Sequence, residues 1–136
     1  SWTALGVHAE ASAPAPEGYG RLLEVTAVTD RGERSVSGAV AEDGSPRLAR
    51  LDQLMVDVTP RGKMLVLSNS DEPGMIGKVG TLLGRHGVNI ADMRVGRRAP
   101  HGEAVMVSTG DEDLTPESQA ELKALKGIRT VRWVVL

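Results

Sequence analysis

The segment DEPGMIGKVGTLLGRHGVNI, residues 71–90, carries five glycines within an otherwise helical pattern. At about 100° per residue, one face of this helix is apolar and must pack on a sheet; it contains Met75, Ile76, Val79, Leu82 and Leu83. Gly77, Gly80 and Gly84 fall together on a different stripe. Each interior glycine costs about 0.8–1 kcal/mol relative to alanine, so this stripe requires a reason beyond helix formation.

Three kinds of site use closely spaced glycines, and none of them matches here. A phosphate-binding Walker loop needs G-x-x-x-x-G-K-[ST], but Val79 stands where the hydroxyl residue should follow Lys78. A dinucleotide fingerprint needs GxGxxG between strand and helix, whereas GxxGxxG runs inside this helix. A membrane packing motif is excluded because Lys78, Arg85 and His86 interrupt a short segment. The stripe therefore predicts close approach of a neighbouring element, a second chain or a ligand.

The elements around this helix alternate between the two types of secondary structure. Strand-like runs lie at 64–69, 89–98, 103–109 and 128–136, and helical runs lie at 71–86 and 115–126. Thr115 followed by Pro116 predicts the start of the second helix. The order βαββαβ is the ferredoxin-like arrangement, in which the first and third strands lie in the middle of the sheet. We predict an α+β, ferredoxin-like domain over residues 62–136.

Residues 1–61 have a different pattern. After a Pro/Gly-rich connection at 12–20, strand-like runs at 22–29, 35–41 and 47–58 end at Asp-Gly or Arg-Gly turns. Such spacing is typical of antiparallel hairpins. No strong helix is available to cover a sheet, so we predict a small, mostly antiparallel β segment that is only part of a domain. Because the chain begins at Ser1, we expect it to be a piece of a longer protein.

The composition excludes several classes of function. A formal net charge of −2 and only three aromatic residues argue against nucleic-acid binding, and the charge argues against an anionic membrane surface. The chain has no cysteine, which predicts a cytoplasmic location and excludes thiolate metal sites. No apolar run is long enough to span a bilayer. The three histidines lie in unlike segments and no serine has a nucleophile motif, so we expect no metal and no catalytic residue.

The start of the glycine-rich helix is the best candidate for a binding site. Asp71 occupies a predicted N-cap position, and a helix N-terminus offers free N–H groups to a carboxylate. Asp71 could instead receive an ammonium group, and Asn89 offers both a donor and an acceptor. This combination suits an α-amino acid. The alternative is that Asp71 is only a helix cap and Asn89 only a turn residue. Arg94, Arg97, Arg98 and His101 form a basic hairpin, predicted to be a solvated turn or, alternatively, an anion or partner contact.

Residues 71–74 (DEPG), 77–83 (GKVGTLL) and 87–90 (GVNI) resemble the ACT regulatory domain family. More closely, they resemble the C-terminal regulatory region of the D-3-phosphoglycerate dehydrogenases. The stretch 22–69 is similar to the intervening domain of the long form of those enzymes. The resemblance implies that 1–61 is part of an intervening domain and that 62–136 is an ACT domain.

The resemblance also implies a ligand and an assembly. L-serine, or another small amino acid, is expected between two ACT domains, where it inhibits the first step of serine synthesis. The matching positions are Asn69, Asp71, Pro73, Gly74, Asn89 and Ile90, with Asn89 coming from the partner chain. Asn69 stands where His or Tyr is more usual in the family.

We expect a homodimer through ACT edge strands, a tetramer in the full enzyme, and NAD only in a missing catalytic domain. This chain is expected to be non-catalytic and to hold no cofactor. The alternatives are the regulatory domain of an iron–sulfur L-serine dehydratase and a ligand-free oligomerisation module.

Overall fold

The computed structural model describes residues 4–12 and 21–136. The chain divides into two compact units, Ser1–Pro60 and Arg61–Leu136. Apart from Ser12, the predicted Pro/Gly-rich connection lies outside the described residues. No helix in the described ranges is long and apolar enough to cross a membrane.

The first unit is an antiparallel meander in which each strand pairs with the next. Its strands are β1 (Ala4–Ser12), β2 (Arg21–Thr29), β3 (Gly32–Val40), β4 (Pro46–Leu51) and β5 (Leu54–Val58). Leu22, Ala39 and Ala49 form a small buried cluster. The described part of this unit contains no helix, in keeping with the predicted antiparallel β segment.

The prediction of a single strand over 47–58 was wrong. Leu51 pairs with Leu54, so a two-residue turn at Asp52 and Gln53 folds this run into a hairpin. Both turn residues have left-handed φ, 48° and 71°, which normally calls for Asn-Gly or a similar pair. Two hydrogen bonds from β3 stabilise Asp52 in this conformation. Its Oδ1 accepts one from the Ser35 N–H at 2.8 Å, and its Oδ2 accepts one from Arg34 Nε at 2.6 Å.

The second unit contains the predicted βαββαβ order. Its elements are β6 (Lys63–Ser70), α1 (Met75–Arg85), β7 (Ile90–Arg97), β8 (Glu103–Gly110), α2 (Pro116–Ala124) and β9 (Ile128–Val135). The sheet order is β7-β8-β6-β9, so the first and third strands of this unit are central, as predicted. The ferredoxin-like α+β fold is confirmed. Thr115 caps α2 by accepting a hydrogen bond from the Ser118 N–H at 3.1 Å.

The core of the second unit joins the two helices to one face of the sheet. Its buried residues include Leu65, Leu67 and Met106 from strands, and Val79, Leu82, Leu83 and Leu122 from helices. Ile76 was predicted on the buried face of α1 but is 55% exposed. At about 100° per residue it stands at the margin of that face, beyond the reach of the sheet.

Candidate functional site

The turn between β6 and α1 contains three predicted site residues, Asp71, Pro73 and Gly74. The prediction that Asp71 caps α1 was wrong: the N-cap is Gly74, with a φ of 84° and no side-chain cap hydrogen bond. Such a φ is inexpensive only for glycine. Within the described residues, the N–H groups of Ile76 and Gly77 have no acceptor. The first turn of α1 therefore presents free donors and the positive end of the helix dipole.

Asn69 lies near the end of β6, on the same side of the sheet as Leu65 and Leu67, which pack in the core beneath the helices. It is only 3% exposed. Its Nδ2 donates to the Ser70 carbonyl oxygen at 2.8 Å, while its Oδ1 is buried and meets no donor in the described part of the chain. Buried polar atoms without partners are rare because each costs about 1–3 kcal/mol. Asn69 thus holds an unpaired, buried acceptor near the end of the strand that precedes α1.

Asp71 turns away from the helix toward the hairpin between β7 and β8. Its Oδ2 accepts hydrogen bonds from Arg97 Nη1 at 3.0 Å and from the His101 N–H at 3.2 Å. The hydrogen bond from the Arg97 guanidinium holds the pKa of Asp71 below its ordinary value, despite desolvation acting in the other direction. No donor among the described residues contacts the other carboxylate oxygen, Oδ1. The carboxylate is therefore fixed through one oxygen and open at the other.

Asn89 lies at the opposite end of the same sheet. Ile90 pairs with Gly110, whereas Asn69 pairs with Ala104, six residues away along β8. At about 3.3 Å per residue, roughly 20 Å separates the Asn89 end of the sheet from the Asp71 end. The chain by itself therefore does not bring Asp71 and Asn89 into one site.

The Asn89 side chain has an intrachain partner. Its Nδ2 donates to Asp111 Oδ2 at 2.7 Å, and its backbone N–H donates to Glu112 Oε2 at 2.6 Å. With Nδ2 engaged, the amide oxygen remains as the group that Asn89 can offer to a ligand. Ile90 begins β7 and packs its side chain against the core.

The glycine stripe of α1 is open. A Cβ placed on Gly77, Gly80 or Gly84 would meet no described atom within 4 Å. Tight packing against a neighbouring element of the same chain, one of the predicted explanations, therefore does not account for these glycines. Of the predicted explanations, close approach of a second chain or of a ligand stays a prediction.

Sequence reasoning missed the residues that hold the site together. Arg97 was noticed only as one member of a basic hairpin, and nothing in the local pattern connects it to Asp71. Gly127 also contacts this turn: its carbonyl accepts a hydrogen bond from the Ser70 N–H at 2.8 Å, and a Cβ added to Gly127 would clash with Met75 Cε. In the described ranges, no group of three or more potential ligand side chains is placed to hold a metal ion.

Comparison with known proteins agrees with this architecture. The sequence pattern of the ACT domain family matches residues 63–127. Residues 63–127 are an ACT domain. This match begins at the first residue of β6 and covers α1, β7, β8 and α2. The fold and the predicted family are therefore confirmed for this part of the chain.

Known relatives of this chain carry the name D-3-phosphoglycerate dehydrogenase. The Synechocystis protein is 37% identical over 118 residues, covering 87% of this chain and 21% of the relative. The Methanocaldococcus jannaschii protein is 34% identical, covering 88% of this chain and 23% of the relative. The chloroplastic protein 3 of Arabidopsis thaliana is 37% identical, covering 76% of this chain and 17% of the relative. The chain therefore spans about a fifth of the length of these relatives.

Proposed function

We propose that this ACT domain is an amino-acid sensor of a D-3-phosphoglycerate dehydrogenase, with L-serine as the ligand that inhibits serine synthesis. The observation that carries the proposal is the unpartnered, buried Oδ1 of Asn69 in the strand that leads to the N-terminus of α1, which has no side-chain cap. An unpaired acceptor and free donors together are the complement of a small zwitterion. The names of the relatives favour the dehydrogenase over the alternative of an iron–sulfur L-serine dehydratase.

The groups at the α1 N-terminus divide into two sets of opposite character. The free N–H groups of Ile76 and Gly77 suit the α-carboxylate of the ligand. Asp71 Oδ1 and Asn69 Oδ1 suit its ammonium group, because both are acceptors without a donor. The hydroxyl of serine is then available to a residue that the single chain does not supply.

We propose that a second copy of the chain supplies that residue as Asn89. β7 is an edge strand and runs from the Asn89 end of the sheet to the Asp71 end. Two such edges paired antiparallel place Asn89 of one copy near Asp71 of the other. The open glycine stripe of α1 then allows the second copy, or the ligand, to come close.

The same proposal assigns roles to the first unit of this chain and to the remaining domains of the parent enzyme. The unit Ser1–Pro60 is then part of an intervening domain, and the catalytic domain that uses NAD lies elsewhere in the parent protein. The full enzyme is a cytoplasmic tetramer in this proposal, in accord with a chain that contains no cysteine. This chain regulates and does not catalyse.

The proposal is tested by calorimetric titration of L-serine into the folded chain and three variants. Asp71→Asn and Asn89→Ala should each weaken binding by at least about tenfold, which corresponds to about 1.4 kcal/mol. Glu117→Gln is a matched control, because Glu117 is exposed in the first turn of α2 and should leave the affinity unchanged. A folded dimer that releases no heat at millimolar serine contradicts the proposal.

A thermal-shift screen of the twenty amino acids separates a sensor from a ligand-free oligomerisation module. A ligand that binds only the native state must raise the melting temperature. The sensor should respond to L-serine or to a few small amino acids. A dimer whose melting temperature ignores all of them is a structural module.

A further inference from the structure

The Asp71–Arg97 ion pair already contains both charges that an α-amino acid presents. Its two charged groups approach to 3.0 Å through Asp71 Oδ2 and Arg97 Nη1. Arg97 is the last residue of β7, its side chain is 54% exposed, and no other described acceptor contacts its guanidinium. A long, exposed side chain held by one hydrogen bond can leave its partner at little cost.

Asp71 would keep its position if Arg97 moved. Its carboxylate also accepts from the His101 N–H at 3.2 Å, and its own N–H donates to the Gly102 carbonyl at 2.9 Å. Both contacts come from the backbone of the hairpin between β7 and β8. Within this hairpin, the Gly102 N–H donates a hydrogen bond to the Ala99 carbonyl at 3.2 Å. The carboxylate is thus anchored independently of the guanidinium.

We propose that Arg97 determines the specificity of this site for zwitterions, an inference that rests on the proposed function. The ligand enters the Asp71–Arg97 pair, so that its ammonium binds Asp71 and its carboxylate binds both Arg97 and the free N–H groups of α1. Each protein charge exchanges one partner for another, and none is left unpaired. A guanidinium is well suited to a carboxylate because it can donate two parallel hydrogen bonds.

A ligand that lacks either charge cannot complete this exchange. Ethanolamine has the ammonium and hydroxyl groups of serine but no carboxylate, so its ammonium and the Arg97 guanidinium would have to share the single negative charge of Asp71. 3-Hydroxypropionate has the carboxylate but no ammonium, so it would compete with Asp71 for Arg97. Arg97 therefore penalises both compounds, whereas L-serine satisfies it.

The test is calorimetric titration of L-serine, ethanolamine and 3-hydroxypropionate into the wild-type chain and the variant Arg97→Met, with Arg98→Met as the matched control. In the wild type, L-serine should bind at least about tenfold more tightly than either analogue. Arg97→Met should weaken L-serine binding by at least about tenfold and should not weaken ethanolamine binding. Arg97→Lys keeps the positive charge but lacks the planar guanidinium, so its affinity for L-serine should lie between those of the wild type and Arg97→Met. Arg98→Met should bind all three compounds as the wild type does.

The outcomes distinguish this inference from the proposed function. If the wild type binds L-serine and Arg97→Met binds it equally well, the sensor stands and the role of Arg97 is refuted. The role of Arg97 is also refuted, without any variant, if wild-type protein binds ethanolamine as tightly as L-serine. If the folded wild type binds neither L-serine nor any other amino acid, the proposed function and the role of Arg97 both fall.

Discussion

Asp71 and Arg97 lie 26 residues apart in the sequence and meet at 3.0 Å between Oδ2 and Nη1. This pair ties the turn before α1 to the end of an edge strand. Asp71 Oδ1, Asn69 Oδ1 and the N–H groups of Ile76 and Gly77 have no partners among the described residues. The same short segment is therefore held in place while several of its polar groups stay unpaired, which supports the proposed amino-acid site.

The contribution of Asp71 to stability should depend on pH in a defined direction. The pKa of Asp71 is lowered in the folded chain, so its stabilising effect is fully present above the unfolded value of about 3.9. The effect is lost as the pH falls through the lower, folded value. The melting temperatures of wild type and Asp71→Asn should differ by a constant amount between about pH 5 and 8 and converge below about pH 4. A difference that widens on acidification contradicts this assignment.

The left-handed cap of α1 predicts a pair of opposite stability changes. Gly74→Ala should destabilise the chain by about 1–2 kcal/mol, because alanine is strained at a φ of 84°. Gly77→Ala is the matched control three residues on, in ordinary helical conformation with no atom near its added Cβ. It should stabilise the chain by up to about 1 kcal/mol. Urea denaturation measures both, and equal effects of the two variants are incompatible with the left-handed cap.

The open glycine stripe predicts that stability and association change in opposite directions. Gly80→Ala and Gly84→Ala should each raise the stability of the dilute chain by up to about 1 kcal/mol, since helical propensity improves and no described atom is displaced. Both should weaken self-association, because the added methyl groups face the proposed second copy. Thr81→Ala, an exposed position on the same helix, is the control. Sedimentation velocity over a concentration series reports association, and unchanged association places the stripe outside the dimer interface.

The hairpin between β4 and β5 predicts a stabilising substitution. Gln53 has a φ of 71°, and among the described residues its Nε2 makes only two long hydrogen bonds of 3.4 Å. Gln53→Gly should raise the free energy of unfolding by about 1 kcal/mol, because glycine removes the left-handed strain. Asp52→Gly is the contrasting variant: it also relieves strain but loses the contacts to Arg34 and Ser35, so it should not stabilise. Thermal denaturation of both variants checks the expected order.

The fold was predictable where local rules operate. Continuous apolar runs identified the two central strands of the second unit, and Thr115 with Pro116 identified the start of α2. Prediction failed at the turn of Asp52 and Gln53, because its left-handed residues are held by contacts from β3 rather than by glycine. It failed again at Asp71, whose carboxylate is drawn away from α1 by Arg97.

The sequence by itself determined the ferredoxin-like order of elements, the apolar face of α1 and the position of the candidate site at its N-terminus. These depend on periodicity, capping and glycine conformation, which act over a few residues. Only the tertiary structure decided that Asp71 pairs with Arg97, that Asn69 keeps an empty buried acceptor and that Asn89 lies at the far end of the sheet. Each of these follows from strand register, which brings together residues distant in sequence and separates Asp71 from Asn89 by the length of the sheet.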